Sequence, residues 1–487
     1  MTRITLHDYR TDPSLSQKDG ADLAHENIAT VLKSSQDPHL SVTFHDFNRV
    51  LADESHAWEV LSTTDCVVSN VGPHAHYYFH LREKFGLDFR IFRDVRTAIW
   101  SSYLLQEHLC QPYLRPQDVL LVASHYTRGL YEKMFPHLQS MRTVRCYPLT
   151  VGFPPDLAAV TPADRTPGSV FTLGYIGRLS EDKNFPDIVQ LLITLNRQSP
   201  GRYRLLACGD VHSPSCDPSN IRQDIAQQLG PGDFFEYLPP RNNGLIWALY
   251  RQFDAMVFPS TSNLETLGRV LIEASYAGVP VVCGAHAAAP ELMPPSSLCR
   301  VDYATAQAFS AHFDHSLGRV NIEDMARAVT HPDLAASNCH LDYQEHPQKF
   351  MALLSDRTPG AGRVREALRL DPAQRSLIQA LDVALPEALS LAEANALIAS
   401  LTPWFVDLQA RGSAGRQTRL TELRTLSRHP ERTEKFIQKT TRTRCDFTDV
   451  GGIDIELCHI AGFYPDFRLK AAHHVTALAN MQAAMAK

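Results

Sequence analysis

Two short stretches combine residue types that do chemistry on phosphate and hydroxyl groups. In "GRLSEDKN", Gly177 to Asn184, Arg178 and Lys183 flank a polar loop that follows the apolar run "VFTLGYIG". A planar guanidinium fork and a point-charge ammonium placed this way suit a clamp on a diphosphate. In "NLETLGRVLIEASYAGVPVV", Asn263 to Val282, Glu265 and Glu273 lie eight positions apart. On one uninterrupted helix they would stand about 12 Å apart along the axis and roughly 80° apart around it, too separated for one small ligand. A helix that starts near Gly268 changes this, because Glu265 then lies in the loop ahead of the helix and Glu273 in its second turn. The unpaired N–H groups at such a start, with the positive end of the helix dipole, favour an anion. Gly268 lets the anion approach the backbone closely.

Strands and helices must carry these loops to one place. The first third of the chain alternates strand-like runs ("ITLHDY", "LSVTFHDF", "DCVVSNVG", "FRIFRDV", "DVLLVASHY") with helical ones such as "GADLAHENIATVLKSS". Between Cys146 and Ser169 the pattern breaks into Pro, Gly and small residues, as an interdomain connection does, and then restarts. Alternation of this kind predicts an α/β chain of two Rossmann-like, doubly wound parallel-sheet domains, residues 1–155 and 168–345, facing each other across a cleft. In such sheets ligands bind beyond the carboxyl ends of the strands. From about Tyr303 strands fade, and residues 346–487 are expected to form a helical C-terminal region, with a return to the first domain as one option for it. Ser390 and Glu393 make a capping box there.

Composition narrows the classes. With 487 residues, 44% hydrophobic and 21% charged, the chain is an ordinary globular protein of two or three domains. The opening "MTRITLHDYR" lacks a secretory apolar core and no later run has spanning length, so a cytoplasmic location is expected. Ten cysteines scattered without a CxxC pair fit a reducing compartment and call for neither disulfides nor structural zinc. A net charge of −6 is too mild to indicate nucleic acid as a partner. Neither a Walker A loop nor GxGxxG is present, which removes the usual signatures of NTPases and nicotinamide enzymes.

What remains is a diphosphate held by two cations and a helix start, with two carboxylates placed to accept bonds from hydroxyls: a sugar nucleotide. From Ser169 to Met293, the order and spacing of Gly177-Arg178-Leu179, Lys183 and "FPSTSNLETLGRVLIEASYAGVPVV" resemble the carboxyl-terminal domain of the retaining GT-B glycosyltransferases of family 4. The resemblance implies that Arg178 and Lys183, with Gly177, bind the diphosphate of a UDP- or GDP-sugar. It implies that Glu273 accepts bonds from the ribose hydroxyls, and that Glu265 contacts the donor sugar, helped by the amides of Thr266, Leu267 and Gly268. It further implies transfer of a hexose or N-acetylhexosamine to an acceptor hydroxyl with retention, without a metal because the cations do its work. The acceptor, whether a sugar, a lipid-linked group or a protein, is left open.

The first domain resembles the family less. Only Gly20 stands where a glycine-rich turn meets the donor phosphates, and Arg93-Asp94 occupies the place of a sugar-contacting His-Asp. Arg93, Asp94 or a residue of "GPHAHYYFH" is expected to take over that contact. A non-catalytic sugar-nucleotide-binding or scaffold protein is the alternative that this departure raises. His76 and His80 share a helix face, but with tyrosines and a phenylalanine between them and no carboxylate, packing is the expectation rather than metal. Arg424, Arg428 and Arg432 lie in the most basic segment, read as a solvated helical face in preference to peripheral membrane contact through anionic lipid.

Overall fold

A computed structural model describes residues 1–8, 20–70, 75–96, 107, 110, 113–135, 142–149, 153–154, 169–241, 243–303, 316–356 and 367–380 of the chain. The first series of strands is β1 (Thr2–His7), β2 (Leu40–His45), β3 (Cys66–Ser69), β4 (Arg90–Val95), β5 (Val119–Val122) and β6 (Arg142–Arg145). Its helices are α1 (Gly20–Ser34), α2 (Phe47–Ala52), α3 (Glu54–Ser62), α4 (His76–Phe85) and α5 (His125–Met134). The second series has β7 (Phe171–Ile176), β8 (Tyr203–Cys208), β9 (Phe235–Leu238), β10 (Ala255–Phe258), β11 (Val281–Gly284) and β12 (Leu298–Cys299). Its helices are α6 (Phe185–Gln198), α7 (Pro218–Leu229), α8 (Asn243–Tyr250), α9 (Arg269–Ala277), α10 (Ala289–Leu292) and α11 (Ile322–Thr330).

Each series forms a six-stranded sheet, and every strand pair in both is parallel. Strands such as β5 (VLLV) and β10 (AMVF) are buried along their whole length, because helices cover both faces of a parallel sheet. The orders are β2-β1-β3-β4-β5-β6 and β12-β11-β10-β7-β8-β9. In the second sheet the winding reverses between β7 and β10, and that switch point opens a crevice at their carboxyl ends. The loops leaving there are Gly177–Asn184 and Pro259–Gly268, so topology alone brings the two chemistry-bearing stretches together.

Helix α9 has the limits the sequence predicts. Gly268 (φ 71°) precedes it, and Gly278 (φ 71°) ends it by donating its N–H to the carbonyls of Ala274 and Ser275. Both positions need the left-handed backbone that glycine adopts without cost to a side chain. Strands β6, β12, β13 (Val301–Tyr303) and β14 (Gly318–Val320) were not legible in sequence. β6 is a half-buried, charged edge strand, and β14 pairs antiparallel with β13 beyond the point where strands were expected to fade.

After the second sheet, α12 (Cys339–Gln344), α13 (His346–Ser355) and α14 (Pro372–Ala380) return to the first domain. Phe350, Leu353 and Leu354 of α13 join Ile4, Leu6, Val68 and Phe92 in one core. Arg90 donates to the carbonyls of Leu354 and Asp356, and Arg142 pairs with Asp356 at 3.0 Å. Helix α14 packs on α5, where Leu370 and Ile378 lie against Gly129. The Ser390–Glu393 capping box and the basic run with Arg424, Arg428 and Arg432 lie outside the described residues. Among the described residues no helix is long and apolar enough to cross a membrane.

Phe350 is fully buried and meets Phe92 edge-on at 6.4 Å. Phe350→Ala should therefore destabilise the first domain by about 3–5 kcal/mol in urea unfolding. An unchanged midpoint would mean that α13 is not part of that core.

Candidate functional site

The loop after β7 is shaped by two glycines. Gly177 (φ 149°) donates its N–H to the Cys208 carbonyl, and beyond β8 Leu179 donates to the Asp210 carbonyl while His212 donates to the Leu179 carbonyl. Gly209 packs so closely there that a Cβ on it would stand 1.8 Å from the Gly177 oxygen. Tyr175 OH donates to the Arg178 carbonyl at 2.6 Å and pins the turn from below. The loop ends at Asn184, in the left-handed region (φ 53°) at the start of α6. The Asn184 amide nitrogen lies 3.0 Å from the Pro259 carbonyl, 2.8 Å from Thr261 Oγ1 and 3.1 Å from the Gly318 carbonyl. Asn184 thus ties the β7 loop to the β10 loop.

That tie sets the two loops' charges against each other. Lys183 Nζ donates to Glu265 Oε2 at 2.7 Å, and Ser260 Oγ donates to the same oxygen at 3.1 Å. Arg178 pairs with Asp182 at 3.1 Å, and Ser180 donates to the other oxygen of Asp182. Burial alone would raise the Glu265 carboxyl, but the charge and hydrogen bond of Lys183, with Ser260, hold it below the ordinary carboxylate value. Asp182 is likewise held low, with Lys183 and Arg178 overcoming its burial. Lys183, expected on phosphate, and Glu265, expected on sugar, hold each other here. Between them and the start of α9 lie Thr266, Leu267 and Gly268, whose N–H groups precede or open the helix.

Glu273 sits in the second turn of α9, buried. Arg269 Nε donates to its Oε1 at 2.7 Å and Tyr250 OH of α8 to its Oε2 at 3.0 Å. The Arg269 guanidinium lies over the Phe153 ring, 5.4 Å from its centroid, and Tyr276 OH reaches the Pro154 carbonyl. Phe153 and Pro154, between the two domains, are therefore packed on the helix that carries Glu273.

Facing this crevice is the carboxyl edge of the first sheet. Ser124 Oγ donates to the Thr266 carbonyl at 3.0 Å, and Thr266 Oγ1 to the Arg96 carbonyl at 3.1 Å. Behind them runs a polar line, with His25 Nδ1 3.3 Å from Asn70, Asn70 Nδ2 3.5 Å from Asp94, and Arg96 Nε 2.7 Å from the same Asp94 oxygen. Burial, with Arg96 nearby, lowers His25 to about 3, so the imidazole is neutral. Gly20 is the first residue of α1.

The expectation for Arg93 is corrected. Its guanidinium is buried and bonded to Glu107 Oε1 at 2.5 Å and to the Ser69 carbonyl at 3.1 Å, because alternate residues of β4 point to opposite faces. Asp94, one residue on, takes the crevice side with Asn70 and Arg96. In "GPHAHYYFH" the residues up to His74 lie outside the described ones, and His76 to His80 are buried on α4. His80 meets the Tyr113 ring at 4.2 Å and His76 the Tyr77 ring at 4.4 Å, which is aromatic packing. Among the described residues no group of three or more His, Cys, Asp or Glu is placed to hold a metal.

Asn184, Gly209, Tyr250, Ser260 and Arg269 also shape the site, beyond the residues expected from sequence. Only Arg269 left a signal, its spacing of four from Glu273 being that of a helical ion pair.

This pair of parallel-sheet domains with a ligand crevice between them is the GT-B fold. Over 73% of this chain and 100% of its own, the crystal structure of Alr3699/HepE from Anabaena in complex with UDP superposes with a TM-score of 0.50 at 15% identity, a likeness of fold. Residues 163–315, which contain the second sheet and its loops, match the family Glycosyl transferases group 1. The chain is 30% identical over 146 residues to a D-inositol 3-phosphate glycosyltransferase of Actinosynnema mirum, covering 28% of this chain and 34% of the relative. It is 32% identical over 143 residues to the protein of the same description from Mycobacteroides abscessus, covering 28% and 31%. The match spans about a third of the length of these relatives.

A depressed carboxyl adds stability that is complete above its ordinary value of 4.5 and is lost as pH falls through the lower folded value. In Lys183→Met the buried carboxyl loses the charge that offsets its burial and rises above 4.5, so the stability gap between the protein and this variant should start to shrink as pH falls through that raised value and go on shrinking until the parent's depressed carboxyl is protonated. A gap indifferent to pH down to 3 would show that Lys183 and Glu265 are not coupled.

Proposed function

We propose that the protein is a retaining glycosyltransferase that moves a hexose or N-acetylhexosamine from a nucleoside-diphosphate sugar to an acceptor hydroxyl. The observation that carries this reading is the Lys183–Glu265 pair at 2.7 Å, at the switch point of a doubly wound sheet and beside the start of α9. A cation suited to phosphate touching a carboxylate suited to sugar hydroxyls supports a donor whose bond between diphosphate and sugar lies between the two. The group 1 domain, the named relatives and the UDP in the Anabaena structure support the same donor class.

On this reading the diphosphate exchanges for the carboxylates now held by Arg178 and Lys183, and the ribose hydroxyls exchange for Arg269 or Tyr250 on Glu273. The bond from the anomeric carbon to the diphosphate oxygen breaks, and its electron pair stays on that oxygen. The acceptor oxygen bonds the same face of the sugar, and its proton passes to the departing phosphate oxygen. Charge grows on the diphosphate as this happens, and Arg178, Lys183 and the α9 N–H groups stabilise it from fixed positions. These cations would serve where a divalent metal serves in other folds. Asp94 and Arg96 lie on the facing edge, where the Arg96 carbonyl accepts from Thr266, and we assign to Asp94 the sugar contact that Arg93 is turned away from making.

A panel of UDP- and GDP-sugars tests the proposal through release of nucleoside diphosphate. Glu273→Ala should weaken nucleoside diphosphate binding about ten- to a hundredfold. Arg178→Ala should lower kcat by about 10²–10³ with a smaller change in binding. Donors that bind but are never hydrolysed or transferred would leave a sugar-nucleotide-binding protein instead, and unchanged kinetics in both variants would move the site elsewhere.

A further inference from the structure

Two residues other than glycine hold left-handed backbone among the described residues, Asn184 (φ 53°) and Ala287 (φ 49°). Both brace the segment Pro259–Glu265 that presents Glu265, from opposite sides. Asn184 reaches it directly through its amide. Ala287 acts through its neighbour: His286 Nε2 lies 3.1 Å from the Ser262 carbonyl, the same oxygen that accepts the Glu265 N–H at 3.1 Å. A carbonyl only accepts, so Nε2 carries the proton, and Nδ1 faces Tyr303 OH at 3.3 Å. Asparagine tolerates the left-handed region through its short polar side chain, whereas alanine occupies it only where its surroundings hold it.

What holds Ala287 comes from outside both sheets. Gln374 of α14 donates from Nε2 to the Ala287 carbonyl at 2.7 Å and to Glu291 Oε1 at 3.1 Å. Its own oxygen accepts the Asp371 N–H at 2.8 Å, which fixes which end of the amide is nitrogen. Both N–H bonds of this buried amide are thereby used, one on the strained turn and one on a carboxylate that is itself bound elsewhere. Glu291 accepts from the N–H groups of His125 and Tyr126, at 2.9 and 2.8 Å, and so spans from the second domain to the start of α5.

We propose that Gln374 is a positioning residue for Glu265. The strap α14 holds the left-handed turn at Ala287, the turn sets His286, and His286 sets the Ser262 carbonyl on which the Glu265 backbone hangs. Placement of the donor sugar thus depends on a helix that lies outside the group 1 domain. This inference rests on the reading of Glu265 as the donor-sugar carboxylate.

Gln374→Met keeps the side chain's length and its apolar body but removes both donors. The expected result is an unchanged Kd for nucleoside diphosphate, a fall of about tenfold in kcat/KM for the sugar nucleotide, and weaker discrimination between sugar epimers. Adding Ala287→Gly should restore most of the loss, because glycine holds a positive φ without the strap. A role for Gln374 in packing α14 on α5 alone would not be rescued from position 287. Should Gln374→Met not fold, Ala287→Val with Gln374 intact carries the same test, since a β-branched residue resists that φ and should lower sugar-nucleotide turnover selectively. Absence of rescue, or equal losses for nucleoside diphosphate and sugar nucleotide, would overturn the inference. Failure of the parent reading shows differently, as a wild-type protein that turns over no donor, and takes this inference with it.

Discussion

Lys183 and Glu265 are 82 positions apart in the chain and meet at 2.7 Å with most of both side chains out of water. Neither charge is tolerable there alone, since removing an ion from water costs several kcal/mol unless a partner and hydrogen bonds replace the solvent. The pair therefore constrains everything around it. β7 and β10 must be neighbours, their loops must leave on the same side, and Asn184 must accept left-handed backbone to reach two groups of the opposite loop and the Gly318 carbonyl of β14. Gly177 and Gly209 answer the same demand from below, where only bare backbone allows the two strand ends to close together.

Each cation of the crevice follows this rule. Arg178 has Asp182, Lys183 has Glu265 and Arg269 has Glu273. An anionic ligand entering such a site exchanges partners with the carboxylates it meets rather than filling bare charge, and hydroxyl groups exchange with the cations. Complementarity of this kind favours a ligand that carries phosphate and hydroxyls together and disfavours one that carries only either. The same Arg269 that bonds Glu273 also lies over Phe153, between the two domains.

The two domains are held by polar contacts at the crevice and by chain that returns after the second sheet. Thr266 and Ser124 bond across it, Glu291 caps α5 from the other side, and α13 completes the first domain's core. The GT-B frame in this protein is thus closed by residues beyond the sheets, and the strap α14 touches both domains at once.

Much of this was written in local pattern. The period of the strands, Gly268 and Gly278 around α9, and the cation spacing of "GRLSEDKN" depend on backbone preferences and short-range sterics, so the sequence by itself determined the α/β class, the two sheets, and the placing of Glu265 before the helix and Glu273 within it. β6 escaped because an edge strand need not be apolar, and β14 because three residues make no period. The partners of the site residues were decided only by tertiary structure. That Arg93 turns inward to Glu107 while Asp94 turns outward, that Lys183 meets Glu265, and that Gln374 reaches Ala287 from 87 positions away are consequences of which strand ends and helices become neighbours. No local propensity encodes such contacts, since their energy exists only once burial has removed the water that would otherwise serve each charge and each amide.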